Sequence, residues 1–201
     1  TSGFDTGPGN SLMDTAVAML SGGKLAYDKD GAWAAAGSPD LAKVYTLLKM
    51  PFFKRRPPKS LDRSEFAAAF LRKRFTAYLN ARRSRDLLAT LNLFTAASIS
   101  LAFRKFSPRG TKELIISGGG ALNPALMDNL AALLLPSDIR VRSCAELGLH
   151  PINICFWLVY FIESHNNWHI RCLCMRQCFL GLRLDAVIGS NNQNSDVRHS
   201  G

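Results

Sequence analysis

The sequence has few of the features that mark secreted or membrane-spanning proteins. Its cysteines number five among 201 residues, and four of them lie between Cys155 and Cys178. An odd number gathered in one segment does not suit a disulfide framework, so we expect a reducing, cytoplasmic compartment. No secretory signal peptide is visible, and the longest apolar run, 152–162, has about a dozen residues, too few to cross a membrane.

Acidic residues are also scarce. The chain has 15 Asp and Glu against 25 Lys and Arg, a net charge of +10. The basic residues gather in short runs at 54–56, 72–74, 82–85 and 104–105. Such runs could form a nucleic-acid surface, but they stand in loops or on the polar faces of predicted helices, where a solvated face is the commoner explanation. We therefore expect no nucleic-acid partner.

The rest of the composition is that of an ordinary globular protein. Apolar residues make up 47% of the chain, enough to bury a core in one large domain. No initiator methionine precedes Thr1, so we expect the chain to be a fragment of a longer protein.

Helix signals dominate the N-terminal half. Ser11, with Asp14 three residues on, predicts a capped helix that ends at the glycines 22–23. Pro39 is expected at the first position of a second helix, whose apolar residues recur at helical spacing: Leu41, Val44, Tyr45 and Leu48. Asp62 with Glu65 is another capping-box pattern, and Asp86 is expected to open a long helix after it.

Two short strands are predicted after the long helix. Residues 113–116 form an apolar run between a Pro-Arg-Gly turn and three glycines, and 139–142 form the second run. Between them Asn123 is expected to cap a helix that Pro124 begins and Pro136 ends. Strands that feed glycine loops and helices predict a helix-rich α/β layered fold.

One acid lies in a glycine-bearing turn at the start of the chain. Asp5 stands in Gly-Phe-Asp-Thr-Gly-Pro-Gly-Asn at 3–10, directly before a predicted helix. Backbone N–H groups and the positive end of the helix dipole favour an anion there. An acid beside that anion can hold a metal ion or accept a proton from an attacking nucleophile. Alternatively, Asp5 serves only to form the turn.

The same tetrapeptide, Phe-Asp-Thr-Gly, is also the signature of aspartic proteases, in which two such acids share a proton. Those enzymes need a second Asp-Thr-Gly or Asp-Ser-Gly and a β-rich chain. Here the loop enters a helix and the chain beyond it is mainly helical, so a protease is not favoured.

A second loop at 117–124 repeats the design of strand, glycines and helix start. Gly118, Gly119 and Gly120 allow another group to approach the backbone closely, and the helix after Asn123 offers N–H groups. A nucleotide fits such a loop, although a simple tight turn is the alternative. Two loops of this kind in one chain indicate that phosphate is handled here.

The composition changes beyond about residue 150. Cys, Trp and His become dense, and the chain ends in an Asn-rich tract. We therefore expect a domain over 1–150 and a divergent tail over 151–201, of which 164–201 is expected to be disordered. The residues that could instead bind zinc are His165, His169, Cys172, Cys174 and Cys178. Their spacing does not match the paired ligands of structural zinc sites, and no metal site is predicted.

Several motifs follow one another in a fixed order over about residues 1–150. Besides 3–10, they are Leu-Met-Asp at 12–14, Tyr-Asp-Lys-Asp-Gly at 27–31, Pro-Pro-Lys-Ser at 57–60, Ala-Thr-Leu at 89–91, Gly-Gly-Gly-Ala at 118–121, Asn-Pro at 123–124, Leu-Met at 126–127 and Glu-Leu-Gly at 146–148. In this order they resemble the C-terminal half of the anhydro-N-acetylmuramic acid kinase family. Each motif alone is unspecific, whereas the ordered set is specific.

The resemblance implies one lobe of an actin-like, hexokinase-type ATPase fold that acts on ATP and a small amino sugar. Such kinases use ATP and Mg²⁺ to open the 1,6-anhydro ring of anhydro-N-acetylmuramic acid with water and to phosphorylate O6, which yields N-acetylmuramate 6-phosphate in cell-wall recycling. By similarity, Asp5 is the general base that activates the water. The residues expected along the nucleotide are Thr6, Gly7, Gly9, Asn10, Gly118, Gly119, Gly120 and Ala121. The resemblance leaves the oligomeric state open, with a homodimer as one option.

The chain also departs from the family pattern. The family's first phosphate loop is absent, Lys59-Ser60 is followed by Leu61-Asp62 rather than Thr-Gly-Arg, and no Glu follows Gly148 where the family has one in its sugar site. A gene fragment read out of frame near residue 150 would explain these differences, and we expect it to be inactive alone. The alternative function is a non-catalytic remnant whose basic surface binds acidic partners.

Overall fold

The computed structural model describes residues 3–148, 157–163 and 171–175. Within these residues the α-helices are α1 Asn10–Leu20, α2 Ala32–Ala35, α3 Leu41–Leu48, α4 Pro51–Lys54, α5 Ala68–Arg74, α6 Ser84–Phe106 and α7 Pro124–Leu134. Short 3-10 turns connect them, at Lys29–Gly31, Arg63–Phe66, Thr76–Tyr78, Gly119–Leu122, Leu135–Ser137 and Cys144–Leu147.

A mixed sheet completes the described fold. Its strands are β1 Thr111–Ile116, β2 Arg140–Ser143, β3 Trp157–Glu163 and β4 Arg171–Met175, in the order β2-β1-β3-β4. β1 and β2 run parallel, whereas β3 is antiparallel to β1 and β4 is antiparallel to β3. Parallel neighbours need a crossover, which α7 provides. The result is the helix-rich α/β class that the sequence predicted.

The central element is α6, which packs on α1, α2, α3 and α7. Its N-terminal half contributes Leu87, Leu91 and Phe94 to a core shared with α1, α3 and a group of phenylalanines. Its C-terminal half contributes Ile99 and Phe103 to a second core, shared with β1 and α7. The helix therefore belongs to both cores and is buried around most of its circumference.

α6 also corrects one expectation about membrane spans. The helix is long and apolar enough to cross a membrane by length and composition, and most of it is buried inside the fold. A search for unbroken apolar runs misses this helix because Asn92, Thr95 and Ser98 interrupt the run. A core helix of this burial passes the same length test without a membrane.

Two predicted helix starts are wrong. α1 begins two residues earlier than a Ser11 cap would place it, after Gly9, and no side chain caps it; Ser11 Oγ instead donates to the carbonyl oxygen of Pro8 at 2.6 Å. α3 begins after Asp40, whose carboxylate accepts from the Lys43 N–H at 2.9 Å, rather than at Pro39. Ser11 lies inside α1 and Pro39 lies before the cap of α3, although each has the residue type and spacing of a helix start.

The apolar face of α3 was predicted in part. Val44 is buried and Leu48 packs against the core, as expected, whereas Leu41 and Tyr45 are 67% and 64% exposed and Leu47 is buried instead. The periodicity of this short helix accommodates either face, and packing against α6 selects the one with Leu47.

The region around α7 was predicted correctly. Asn123 caps the helix through its side-chain oxygen, which accepts from the Leu126 N–H at 3.0 Å. The apolar positions Leu126, Leu130 and Leu134 are buried, and both flanking strands lie within two residues of their predicted bounds.

Beyond residue 150 the structure describes backbone at two places only. β3 overlaps the apolar run at 152–162, and 171–175 form β4 inside the segment that was expected to lack order. The remainder of 164–201 lies outside the described residues, as do the zinc-candidate residues His165, His169 and Cys178.

The basic runs lie at the surface. The described side chains at 54–56, 72–74 and 104–105 are exposed, in agreement with the solvated faces expected of them. One of the neighbouring arginines, Arg83, stacks over the ring of Tyr78 at 3.9 Å from its centroid.

Candidate active site

The loop that carries Asp5 lies flat against α6. A Cβ built on Gly7 would stand 2.5 Å from the Oγ of Ser98, so a larger residue has no room there. Thr95, one turn earlier on α6, donates its hydroxyl to the carbonyl oxygen of Gly9 at 3.1 Å. Gly9 itself has a φ of 59°, which favours glycine. The shape of this loop is thus set by its fit to one face of α6.

Asp5 is fixed by the segment 57–61. Its backbone N–H donates to the carbonyl oxygen of Lys59 at 3.0 Å, and its Oδ2 accepts from the Leu61 N–H at 2.7 Å. Asp5 is only 7% exposed. The Asp5 carboxylate thus accepts a hydrogen bond from a residue 56 positions away, so the role of Asp5 is not limited to forming its own turn.

Two buried polar atoms of the same loop lack a partner. Among the described residues, neither Thr6 Oγ1 nor Asn10 Oδ1 makes a hydrogen bond. Thr6 is 1% exposed, and such a group costs about 1–3 kcal/mol when it is left unsatisfied. Both atoms stand at the N-terminal end of α1, where the helix dipole is positive. The loop therefore has hydrogen-bonding capacity that a ligand could use.

The second glycine loop follows the carboxyl end of β1, the position at which open α/β sheets bind ligands. Gly118 has a φ of 78°, Gly120 is buried and Gly119 is exposed, with Ala121 half-buried beyond them. A Cβ built on Gly119 would meet Asn10 Nδ2 at 3.8 Å. The fold thus brings the two predicted loops together, with the Asn10 amide at their junction.

The second loop differs from expectation in one respect. The N-terminus of α7 is already capped by Asn123, whose Oδ1 accepts from the Leu126 N–H and, at 3.4 Å, from Asn92 Nδ2. Asn129 Nδ2 in turn donates to Asn92 Oδ1 at 2.9 Å. This buried network joins α6 to α7. The loop can therefore serve a ligand through the close approach that its glycines allow, more than through the end of α7.

Two acids, Asp14 on α1 and Asp28 before α2, lie near each other. Asp28 accepts from the Trp33 and Ala34 N–H groups, in the first turn of α2, at 2.9 and 3.0 Å. Burial of Asp14, together with the nearby Asp28 carboxylate, raises the pKa of Asp14 from 3.8 to about 6. These acids belong to the motifs at 12–14 and 27–31. The observed role of Asp28 is structural, through its bonds to α2, whereas the half-buried Asp14 carboxylate is unfavourable when it is charged.

No group of three or more His, Cys, Asp or Glu side chains within the described residues could hold a metal ion by itself. Mg²⁺ in phosphoryl-transfer sites is commonly bound by one or two carboxylates together with substrate phosphates and water. A single acid in the loop, Asp5, is compatible with that mode of binding.

Sequence reasoning missed the groups that shape the site. Lys59 is 9% exposed beside Asp5, and Leu61 supplies the N–H that binds the carboxylate. On α6, the polar residues Asn92, Thr95 and Ser98 are all buried at a spacing of three, which places them on one face. That polar stripe in an apolar helix was visible in the sequence and could have located the surface on which the loop lies.

Comparison with known proteins agrees with this arrangement of motifs. The family model described as anhydro-N-acetylmuramic acid kinase matches residues 1–157. The chain belongs to the anhydro-N-acetylmuramic acid kinase family. The match includes both glycine loops, the Asp5 segment and the Lys59 segment, and it ends at the first residue of β3.

Similar proteins in this family come from several bacteria. The chain is 46% identical to the anhydro-N-acetylmuramic acid kinase of Cyanothece sp. over 151 residues, which cover 73% of this chain and 38% of that protein. It is 41% identical to the Thiobacillus denitrificans kinase over 149 residues, covering 74% and 39%, and 38% identical to the Microcystis aeruginosa kinase over 168 residues, covering 82% and 44%. The chain thus spans about two fifths of the length of these kinases.

Proposed function

We propose that the chain contributes the general base and part of the nucleotide site to a kinase that converts 1,6-anhydro-N-acetylmuramic acid, ATP and water into N-acetylmuramate 6-phosphate and ADP. Family membership supports the reaction class. The observation that carries the assignment of the site is the junction of the two glycine loops, where Asn10 Nδ2 stands 3.8 Å from a Cβ position on Gly119. Thr6 Oγ1 and Asn10 Oδ1 remain without a described partner at this junction.

The proposed role of the first loop is to bind phosphate. Thr6, Gly7, Gly9 and Asn10 stand at the N-terminus of α1, whose dipole and backbone N–H groups favour a phosphate. The uncapped start of the helix leaves this position to a ligand rather than to a side chain. The proposed role of Gly118 to Ala121 is to let the nucleotide lie close to the backbone.

The proposed role of Asp5 is proton transfer. Water adds to C1 of the sugar, the bond between C1 and O6 breaks, and O6 takes the γ-phosphoryl group. The proton that the water loses passes to the Asp5 carboxylate. Leu61 holds Oδ2 of that carboxylate at 2.7 Å, which restricts the direction from which the base meets the water. Mg²⁺, where bound, neutralises phosphate charge during the transfer.

We further propose an actin-like lobe for residues 1–150, with a cytoplasmic location and with 151–201 as a divergent segment outside it. The described helices around β1, α7 and β2 are compatible with such a lobe. Cys144 is a buried free thiol, and its burial raises its pKa and keeps it protonated. A thiol of this kind is compatible with a reducing compartment.

The test is equilibrium binding of ATP, followed by phosphoryl transfer. Asn10→Ala and Gly119→Ala should each weaken ATP binding by about tenfold, equivalent to about 1.4 kcal/mol. Gly119 is exposed and a Cβ there makes only an ordinary contact, so its substitution should leave the thermal unfolding midpoint unchanged.

The matched control for Asn10 is Asn80→Ala, since Asn80 is exposed and bonds only to its own turn in the described structure. It should bind ATP like the unmodified chain. Equal affinities in all three variants would refute the nucleotide site. Transfer of radiolabelled phosphate to anhydro-N-acetylmuramic acid then tests the reaction in a protein that carries this chain at the full length of its relatives, because the chain alone is expected to be inactive. Transfer to no sugar substrate by that full-length protein, despite ATP binding, would refute the reaction but not the site.

A further inference from the structure

Lys59 is a buried cation in a segment of otherwise mostly exposed residues. Its Nζ lies 4.4 Å from the ring centroid of Phe52, 5.9 Å from that of Phe106 and 6.0 Å from that of Phe4. These distances fall within the range of cation–π attraction. The three rings come from α4, from the end of α6 and from the residue before Asp5, so the ammonium is enclosed from separate parts of the chain.

The hydrogen bonding of this ammonium is incomplete. A lysine ammonium has three N–H donors. Within the described residues it makes one hydrogen bond, to the carbonyl oxygen of Phe52, and at 3.4 Å that bond is long. Ring faces attract the charge but do not replace hydrogen-bond acceptors. Burial of Lys59 thus carries a cost that packing alone does not explain.

The nearby charges point to Asp5. Burial lowers the pKa of Lys59, and the positive charges of Lys105 on α6 and Arg55 after α4 lower it further. The Asp5 carboxylate acts in the opposite direction and raises it. Asp5 is therefore the group among these that stabilises the ammonium.

Asp5 and Lys59 are also tied through the backbone. The Asp5 N–H donates to the Lys59 carbonyl oxygen at 3.0 Å, and the Leu61 N–H donates to Asp5 Oδ2 at 2.7 Å. A ring on the Asp5 side, Phe4, contacts the Lys59 ammonium. Displacement of the Lys59 side chain would shift the segment that holds the carboxylate.

We propose that Lys59 is a positioning residue for Asp5. Its ring-enclosed ammonium anchors the segment 57–61, attracts the Asp5 carboxylate and so maintains the orientation in which that carboxylate meets the water. The consequence for turnover rests on the proposed function, whereas the coupling between the two side chains does not.

The coupling is tested by NMR titration of the lysine ammonium groups in the 201-residue chain, with the Lys59 signal assigned as the one that Lys59→Met removes. Asp5→Asn should lower the titration midpoint of Lys59, because it removes the attraction that raises it. Asp62→Asn, at an exposed acid two residues beyond Ser60, should leave the midpoint unchanged. If Asp5→Asn also leaves it unchanged, the proposal is wrong.

The effect on turnover is tested with Lys59→Met and Lys59→Arg in the phosphoryl-transfer assay, in the protein of full kinase length. Lys59→Met should lower kcat by about 10- to 100-fold, as expected of a displaced catalytic group, with KM values nearly unchanged. Lys59→Arg, which keeps the charge, should recover a substantial part of kcat, and Lys24→Met at an exposed lysine should have no effect. A normal kcat in Lys59→Met would overturn the proposal.

The two measurements separate the possible failures. If the protein of full kinase length transfers no phosphate, the proposed function fails while the titration still decides the coupling. If Lys59→Met does not fold, the Asp5→Asn titration decides it, with the lysine signal assigned through Lys59→Arg.

Discussion

Gly7 and Ser98 approach each other so closely that a Cβ on Gly7 would lie 2.5 Å from the Ser98 Oγ and 3.0 Å from its Cβ. The neighbouring Thr95 holds Gly9 from the same face of α6 at 3.1 Å. The Asp5 loop is thus attached to α6 at two points one turn apart. Its conformation depends on a helix that lies far from it in the chain.

Gly7→Ala should therefore destabilise the protein by about 1–3 kcal/mol, the usual cost of forcing extra volume into a packed site. The measurement is chemical denaturation. Adding Ser98→Ala should recover part of the loss, since it removes the closest atom but leaves the Cβ at 3.0 Å. Gly119→Ala, where a Cβ fits, should change stability by less than about 0.5 kcal/mol. Equal losses at Gly7 and Gly119 would contradict the close approach.

In a protein that carries this chain at the full length of its relatives, Asp5→Asn should lower turnover by at least about a hundredfold, because removal of a general base costs roughly 10²–10⁴ in rate. ATP binding should be largely intact, since the proposed phosphate contacts lie in the residues after Asp5. Steady-state kinetics and ATP titration check the two parts. Asp30→Asn is a suitable control, because Asp30 is exposed and its φ of 55° also suits Asn. Unchanged turnover, or abolished ATP binding as the primary effect, would show that Asp5 is not the base and would favour a purely structural role.

The sequence predicted those parts of the fold whose local signals agree with their packing. Asn123 followed by Pro124 and a leucine period specifies the start and the buried face of α7, and tertiary contacts only reinforce it. Ser11 and Asp14 have the spacing of a capping box as well, but α1 continues through them because the glycines before it fit against α6. A cap pattern is a local property, whereas the start of α1 is decided by a long-range contact.

The candidate site also combines features that have local sequence signals with features that depend on long-range contacts. The two glycine loops were visible in the sequence because each has its own local signature. The residues that hold Asp5 could not be identified from the sequence, because Lys59 and Leu61 are distant from it in the chain. Leu61 lies 56 positions from Asp5. No periodicity or spacing specifies which loop packs beside which.

Asp14→Asn should raise the free energy of unfolding at neutral pH. The pKa of Asp14 is raised to about 6 in the folded state from 3.8, so the folded state binds the proton more tightly. The corresponding stability is fully present below about pH 4 and is lost as the pH rises through about 6. Because the carboxyl is only half-buried, solvent screening reduces the expected gain at pH 7 to about 1–2 kcal/mol.

Denaturation curves from about pH 4 to about pH 8 check this prediction. The unmodified chain should lose stability over that interval relative to Asp14→Asn, and the two should converge at the acidic end. Asp128→Asn, at an exposed position of α7, serves as the control for removal of one negative charge. A gain that is the same at both ends of the interval would show that titration of Asp14 is not its cause.

Asn123→Ala should cost more than an ordinary helix cap. Loss of the cap itself costs about 0.5–2 kcal/mol, and Asn92 Nδ2 loses its acceptor inside the core. Asn123→Asp keeps an oxygen for both donors and should retain most of the stability. The comparison of these two variants by thermal unfolding separates the capping oxygen from the volume of the side chain; equal losses would show that the capping oxygen is not what stabilises α7.

Because α6 belongs to both cores, it couples their unfolding. Neither the phenylalanine-rich core nor the core around β1 and α7 can open without exposing part of α6. The shared helix should therefore couple the two cores so that they open together, with the amide protons of α6 and β1 exchanging in the same event. A cavity made beside Phe94 should then speed exchange in β1 as well. The Asp5 loop is attached to the middle of this helix, at the boundary of the two cores, so it inherits the rigidity of both.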